Sequence, residues 1–299
     1  MAAVSVQGLR KNYGDLEAVK GISFEVKEGS FFAFLGPNGA GKSTTISIIC
    51  SLLDYDSGTV EVFGKNPAEA RTEIGVVFQD HMLDDKLTVR ENVSLRGSMY
   101  GLKGQELKDA VNKVLALTDS SEFADRRYGT LSGGQKRRAD IARALVHDPK
   151  MIVLDEPTAG LDPQSRTMLW RTVFNLNRET GLTVFLTTHY MEEASDADDI
   201  VIIDHGEIVA QGTSDELKEQ YCTDYIRAIP KDQESFINKL SFENIRFTMD
   251  KGIFTIPVKD TISSIGLLNK FRDDLESFEV RKGTLDEAFI KITGGADDE

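Results

Sequence analysis

Cysteine is nearly absent from this sequence, with two residues in 299. Two thiols cannot build a disulfide framework, and neither Cys50 nor Cys222 has a metal-ligating residue close by, so no zinc site is expected either. Both sit among apolar residues and read as buried, reduced thiols of a cytosolic protein. Long apolar runs are missing as well. None approaches the ~18 residues of a membrane span, and the opening MAAVSVQGLRKNYG lacks the apolar core of a signal peptide. The chain is therefore expected to be soluble by itself, with any membrane role arriving through a partner. Positive charge is scarce: the formal net charge is −14. A protein that grips a nucleic-acid backbone needs a basic face. The densest basic cluster here, Lys136-Arg137-Arg138, is short and reads as a solvated helix face. What is present suffices for one or two domains with a real core: 40% hydrophobic and 28% charged residues.

Hydrophobic periodicity divides the chain. Residues 4–9 and 22–26 alternate as strands. Residues 31–35 form a short continuous apolar run, the pattern of a strand buried on both faces, and a helix is expected from Lys42 to about Leu53. Strand signals follow at 58–63 and 74–78, then return at 151–154, 183–187, 199–204 and 207–210, the last two joined by a His205-Gly206 turn. Between them, residues 88–148 are helical in pattern. Strands separated by helices predict an α/β core with a largely parallel sheet. From 222 the order reads strand (222–229), helix (233–240), strand (243–249), strand (253–258), helix (261–273), strand (277–281) and a closing helix (284–292). The first six make the βαββαβ order of a ferredoxin-like α+β domain. The expected division is thus 1–220, 221–293 and a frayed acidic tail at 294–299.

Several short motifs carry chemistry. Gly36-Pro37-Asn38-Gly39-Ala40-Gly41-Lys42-Ser43-Thr44 follows a buried strand and opens a helix, the context that makes such a sequence a P-loop. Its backbone N–H groups would wrap a β-phosphate, Lys42 would reach the β- and γ-phosphates, and the Ser43 hydroxyl would ligate Mg²⁺. Met151–Leu154 ends in Asp155-Glu156, which delivers carboxylates to the ligand edge of a parallel sheet. Asp155 would hold Mg²⁺, mostly through water, and Glu156 would orient and deprotonate an attacking water. Gln79 and His189 each follow a strand end. The first could touch Mg²⁺ and the water, and the second could donate to a γ-phosphate. Tyr13, before the Gly14-Asp15 turn, offers a ring on which a base could stack. The other histidines, His81, His147 and His205, read as ordinary surface residues. A second glycine-rich helix start, Leu131-Ser132-Gly133-Gly134-Gln135, is itself a ready anion site, which one phosphate loop leaves without an obvious ligand.

The order of these motifs resembles that of ABC-type ATPases over about residues 4–220. Tyr13 resembles the A-loop, Gly36–Thr44 Walker A, Gln79 the Q-loop, Leu131–Gln135 the signature, Asp155-Glu156 Walker B, Ala159-Gly160-Leu161-Asp162 the D-loop and His189 the H-loop. The resemblance implies a P-loop NTPase ABC cassette: a RecA-like parallel core, an antiparallel β subdomain and a helical subdomain at about 88–148. It implies a head-to-tail dimer, with a copy of itself or a paralogue, in which Ser132, Gly133, Gly134 and Gln135 of one protomer, with Asp162, close on the Mg-ATP held by the other protomer's P-loop. One P-loop and one signature, a short intervening segment and net acidity disfavour ribosomal two-cassette and chromosomal SMC-type proteins. Residues 78–92, Met99-Tyr100-Gly101-Leu102 and 283–294 resemble the drug- and lipid-export branch, whose cassettes drive separate membrane permease subunits. A permease coupling helix would dock near Asp80–Leu87, with Met82 and Leu83 as apolar contacts, and the chain would sit in the cytoplasm on the inner face of the membrane. The alternative is an importer ATPase with a C-terminal regulatory sensor domain, or a soluble non-transport ABC ATPase.

Overall fold

The computed structural model describes residues 1–294, so the expected tail lies, beyond Gly294, outside the described residues. The chain forms two compact units, Met1–Ser214 and the remainder from Asp215.

In the first unit, β1 (Ala2–Tyr13), β2 (Leu16–Lys27), β3 (Phe31–Leu35), α1 (Lys42–Ile49), β4 (Ser57–Val62) and β5 (Ile74–Val77) come first. Then follow α2 (Val89–Met99), α3 (Gly104–Leu117), α4 (Gly133–Leu145), β6 (Met151–Asp155), α5 (Pro163–Thr180), β7 (Thr183–Thr188), α6 (Met191–Ala194), β8 (Asp199–Asp204) and β9 (Glu207–Gly212). The main sheet has the order β5-β6-β7-β3-β8-β9. Its first five strands run parallel, and β9 pairs antiparallel with β8. A second, antiparallel sheet has the order β2-β1-β4. β1 and β2 are longer than alternation indicated, because shifts of register interrupt their two-residue period. α1 stops short of Leu53: Ser51 takes φ +55, and the chain turns away.

All five residues of β3 are buried, as expected of a strand covered on both faces. The core joins the two sheets and α1. Phe24 stacks on Phe32 at 5.6 Å, Phe32 meets Phe185 at 5.0 Å, and Val4, Val60, Ile46 and Val153 close around them. The Thr88–Glu91 capping box starts α2, and Ser132–Gln135 starts α4 the same way.

The second unit opens with α7 (Ser214–Tyr221), whose first residue closes the first unit. β10 (Asp224–Pro230), α8 (Gln233–Phe242), β11 (Thr248–Asp250), β12 (Ile253–Val258), α9 (Ser264–Lys270), β13 (Leu275–Arg281) and α10 (Leu285–Ile292) succeed one another. The sheet order is β11-β12-β10-β13, antiparallel throughout. Ile226, Phe254, Ile256, Phe236, Leu240 and Phe271 form its core. The strand expected at 243–249 shrinks to β11, because α8 runs on to Phe242 and Asn244 turns the chain at φ +54. Cys222 is not the buried thiol expected; it is partly exposed and donates to Thr284 O at 3.1 Å. Cys50 is buried, which pushes its thiol up to about 12.

Candidate active site

The parallel strands end on one edge of the main sheet, so the segments after β3, β5, β6 and β7 meet there. These segments are the P-loop, Gln79, Asp155-Glu156 and His189. The loop must be glycine at two places: a Cβ on Gly36 would lie 2.2 Å from Ile203 O, and Gly41 combines φ +108 with a Cβ site 2.7 Å from Ala18 O. Asn38, Gly39, Gly41, Lys42, Ser43, Gln79 and Glu156 line one cleft of about 320 Å³.

Lys42 opens α1 and is buried, with Nζ donating to Gly36 O (2.7 Å) and Pro37 O (3.0 Å) and standing 3.8 Å from Glu156 Oε1. Burial lowers its pKa, and the Glu156 and Asp155 charges act against that shift. Asp155 closes β6, and its Oδ1 accepts from Thr187 Oγ1 at 2.6 Å. Burial raises its carboxyl above the usual range, opposed by that hydroxyl. Glu156 takes φ +44, a left-handed conformation uncommon for a residue with a Cβ. Its N–H donates to Thr187 O at 3.0 Å, which pins the turn. Its Oε1 lies 3.3 Å from His189 Nδ1, out of alignment for a hydrogen bond.

Other expected residues lie elsewhere. Among the described residues, none of Leu131–Gln135 lines this cleft. Ser132 caps α4, its hydroxyl accepting from Gln135 N–H at 3.3 Å, and Ser132 and Gly133 face solvent. Asp162 caps α5, accepting from Ser165 N–H (2.9 Å) and Oγ (2.6 Å). Tyr13 is half exposed at the end of β1, with Lys11 Nζ 5.7 Å from its ring centre, and does not line the cleft. Met82 is exposed and Leu83 partly buried, beyond Gln79.

The basic cluster is not a solvated face. Arg137 is 2% exposed and Arg138 7%. Arg137 donates to Phe78 O (2.5 Å) and Gln79 O (2.7 Å), so the helix that begins at the signature grips the backbone of Gln79. Arg143 reaches Val76 O (2.6 Å) and Arg138 reaches Asp119 O (2.8 Å). Buried Asp140 accepts from Tyr128 OH (2.8 Å), and its other oxygen lies 2.8 Å from His81 Nδ1. His81 is an exposed histidine satisfied by Asp140, as expected, whereas His147 is partly buried and stacks on Tyr100 at 3.9 Å. His205 is exposed. The available signal was the i, i+3 spacing of Arg137 and Asp140 on a helix whose other residues are mostly small or apolar.

The donors around the cleft suit Mg²⁺: a hydroxyl (Ser43), an amide (Gln79) and a carboxylate (Asp155) are hard oxygen ligands. The described residues hold no group of three or more His, Cys, Asp or Glu able to cage a metal.

The sequence profile described as ABC transporter matches residues 19–159. The linearmycin resistance ATP-binding protein LnrL of Bacillus subtilis (strain 168) is 38% identical, over 97% of this chain and 98% of that protein. The daunorubicin/doxorubicin resistance ATP-binding protein DrrA of Streptomyces peucetius is 36% identical, over 98% of this chain and 92% of that protein. A solved dimeric post-hydrolysis structure of the ATP-binding cassette MJ0796, bound to ADP and Pi, superposes with a TM-score of 0.64 at 31% identity, over 70% of this chain and 98% of that one. With near-complete coverage of such relatives and a P-loop cleft on the matching fold, the chain belongs to the ATP-binding proteins of the ABC transporter family and is an ATPase of that kind.

Proposed function

We propose that this chain is the ATP-hydrolysing subunit of an exporter of drugs, lipids or similar amphiphiles, acting as a head-to-tail dimer on separate membrane permease subunits. The observation that carries the reading is the convergence of Lys42, Ser43, Gln79 and Glu156 on one cleft, with the glycine-rich start of α4 exposed elsewhere on the same unit. A helix start of that kind attracts phosphate, and it is free to meet a second copy's nucleotide. The resistance proteins among its relatives support export.

In this reading the P-loop amides and Lys42 bind the phosphates. Ser43, Gln79 and Asp155 would hold Mg²⁺, which would supply neutralisation of phosphate charge. Glu156 takes the proton of the attacking water, and its left-handed turn aims the carboxylate toward Lys42. His189 and Gln79 hold the water and γ-phosphate in line. Ser132, Gly133 and Gly134 of the second copy, with Gln135 and Asp162 behind them, complete the site. Phosphoryl transfer depends on such positioning and charge stabilisation more than on covalent chemistry. Met82 and Leu83 offer apolar contacts to the permease, and the second unit serves as a dimer brace or a permease contact. The chain then works in the cytoplasm, held at the membrane by its permease. Among the described residues, no helix is long and apolar enough to cross a membrane.

The test is to trap the Glu156→Gln chain with ATP and Mg²⁺ and purify it from detergent-solubilised membranes of its host. Mass spectrometry should find a multi-span membrane protein without a soluble substrate-binding protein. A binding protein in the complex would contradict export, and ribosomal or DNA-associated proteins would contradict transport.

A further inference from the structure

Glu193 stands on α6 with only 4% of its surface exposed. A buried carboxylate is costly unless both oxygens are satisfied. Here both are. Thr158 Oγ1 donates to Oε1, and Thr188 Oγ1 donates to Oε2 at 2.5 Å. The two threonines are themselves buried, at 1% and 0% exposure. Thr158 follows Glu156-Pro157, and Thr188 immediately precedes His189. Thr188 Oγ1 also accepts from Tyr190 N–H at 2.9 Å, which fixes the chain on the far side of His189. Burial raises the Glu193 carboxyl above the usual range, opposed by the two threonine hydroxyls and then by Arg166, which lies over the Tyr190 ring at 5.0 Å, and His189.

The neighbouring Thr187 completes a frame. Its hydroxyl donates to Asp155 and its carbonyl accepts from Glu156 N–H. The end of β7 therefore holds the segment of Asp155 and Glu156 directly on one side of Pro157. Glu193 is the tie on the other side. Glu193 does not line the cleft, and both of its oxygens are taken by the threonines.

We propose that Glu193 is a positioning residue for ATP hydrolysis: its carboxylate bridges Thr158 to Thr188 and so fixes Glu156 relative to His189. The inference rests on the hydrolytic roles proposed above for those two residues. Misplacement of a reacting group by about 1 Å can cost about a hundredfold in rate. Binding of nucleotide depends on the P-loop, which Glu193 does not touch.

The experiment measures kcat for ATP hydrolysis, nucleotide Kd with a fluorescent ATP analogue, and melting temperature. Glu193→Ala should lower kcat about tenfold or more while Kd stays within about twofold. Glu193→Gln keeps an acceptor for one threonine only, so its kcat should fall between. In a Glu156→Gln background, adding Glu193→Ala should leave the residual rate unchanged, since the group being positioned is gone. An unchanged kcat in folded Glu193→Ala overturns the proposal. So does a parallel loss of nucleotide affinity, or a full further loss in the Glu156→Gln background. Should Glu193→Ala not fold, Thr158→Val carries the same expectation while leaving Thr188 bonded. If instead the unaltered chain binds ATP without hydrolysing it, the proposed function fails rather than the role of Glu193.

Discussion

Gly134 is glycine because of a neighbour rather than a strained backbone. A Cβ there would lie 2.5 Å from Ser165 Oγ and 2.7 Å from Ser165 Cβ, so an alanine must push the start of α4 away from α5. Gly134→Ala should therefore lower ATP hydrolysis about tenfold or more by displacing Ser132 and Gly133. Adding Ser165→Gly, which removes the collision, should restore part of the rate in a steady-state assay. An alanine variant with the unaltered rate would contradict this account. Lys42 and Ser43 could be read from sequence because the loop that holds them is contiguous, with Lys42 donating to Gly36 O and Pro37 O, and Glu156 because it directly follows an apolar strand run. Arg137 and Glu193 could not. Their partners, Gln79 and Thr158, are brought together by tertiary packing, and a charged side chain at a helical position ordinarily faces water.

At the scale of the element, α4 shows why periodicity misled. Ala139, Ile141, Ala142, Ala144 and Leu145 are buried together with Arg137, Arg138 and Asp140, so the helix has no continuous polar face. Just past its end, His147 is held neutral. Burial depresses its pKa from 6.5 to about 4, with a smaller opposing effect of its bond to Ile74 O (3.2 Å). Above pH 6.5 both folded and unfolded states carry a neutral imidazole. As pH falls from about 6.5 to about 4 the unfolded state takes the proton first, so this residue lowers stability across that window and adds no further change below it. Urea midpoints at pH 7, 6 and 5 should decline less steeply for His147→Gln than for the unaltered chain. Parallel declines would contradict the assignment. Strands were more readable than helix ends: β3, β6 and β7 are short apolar runs buried on both faces, whereas α1 and α8 end where Ser51 and Asn244 adopt left-handed turns that no periodicity announces.

For the whole molecule, the parallel sheet explains how motifs spread from residue 38 to residue 156 line one cleft, with His189 beside Glu156 at 3.3 Å: each leaves a strand at the same edge. That convergence was readable, since the P-loop, Walker B and His189 all follow apolar runs. How the glycine-rich start of α4 is used was readable only through the family resemblance, because it engages nothing in the cleft of its own chain. The central claim is that ATP joins two copies through that surface, an isologous pairing with two equivalent sites. It is tested most directly by sedimentation of the Glu156→Gln chain with Mg²⁺ and either ATP or ADP. The account predicts a species of twice the 33.1 kDa chain mass holding two nucleotides with ATP, and a single chain with ADP. A chain that remains single at saturating ATP would contradict it.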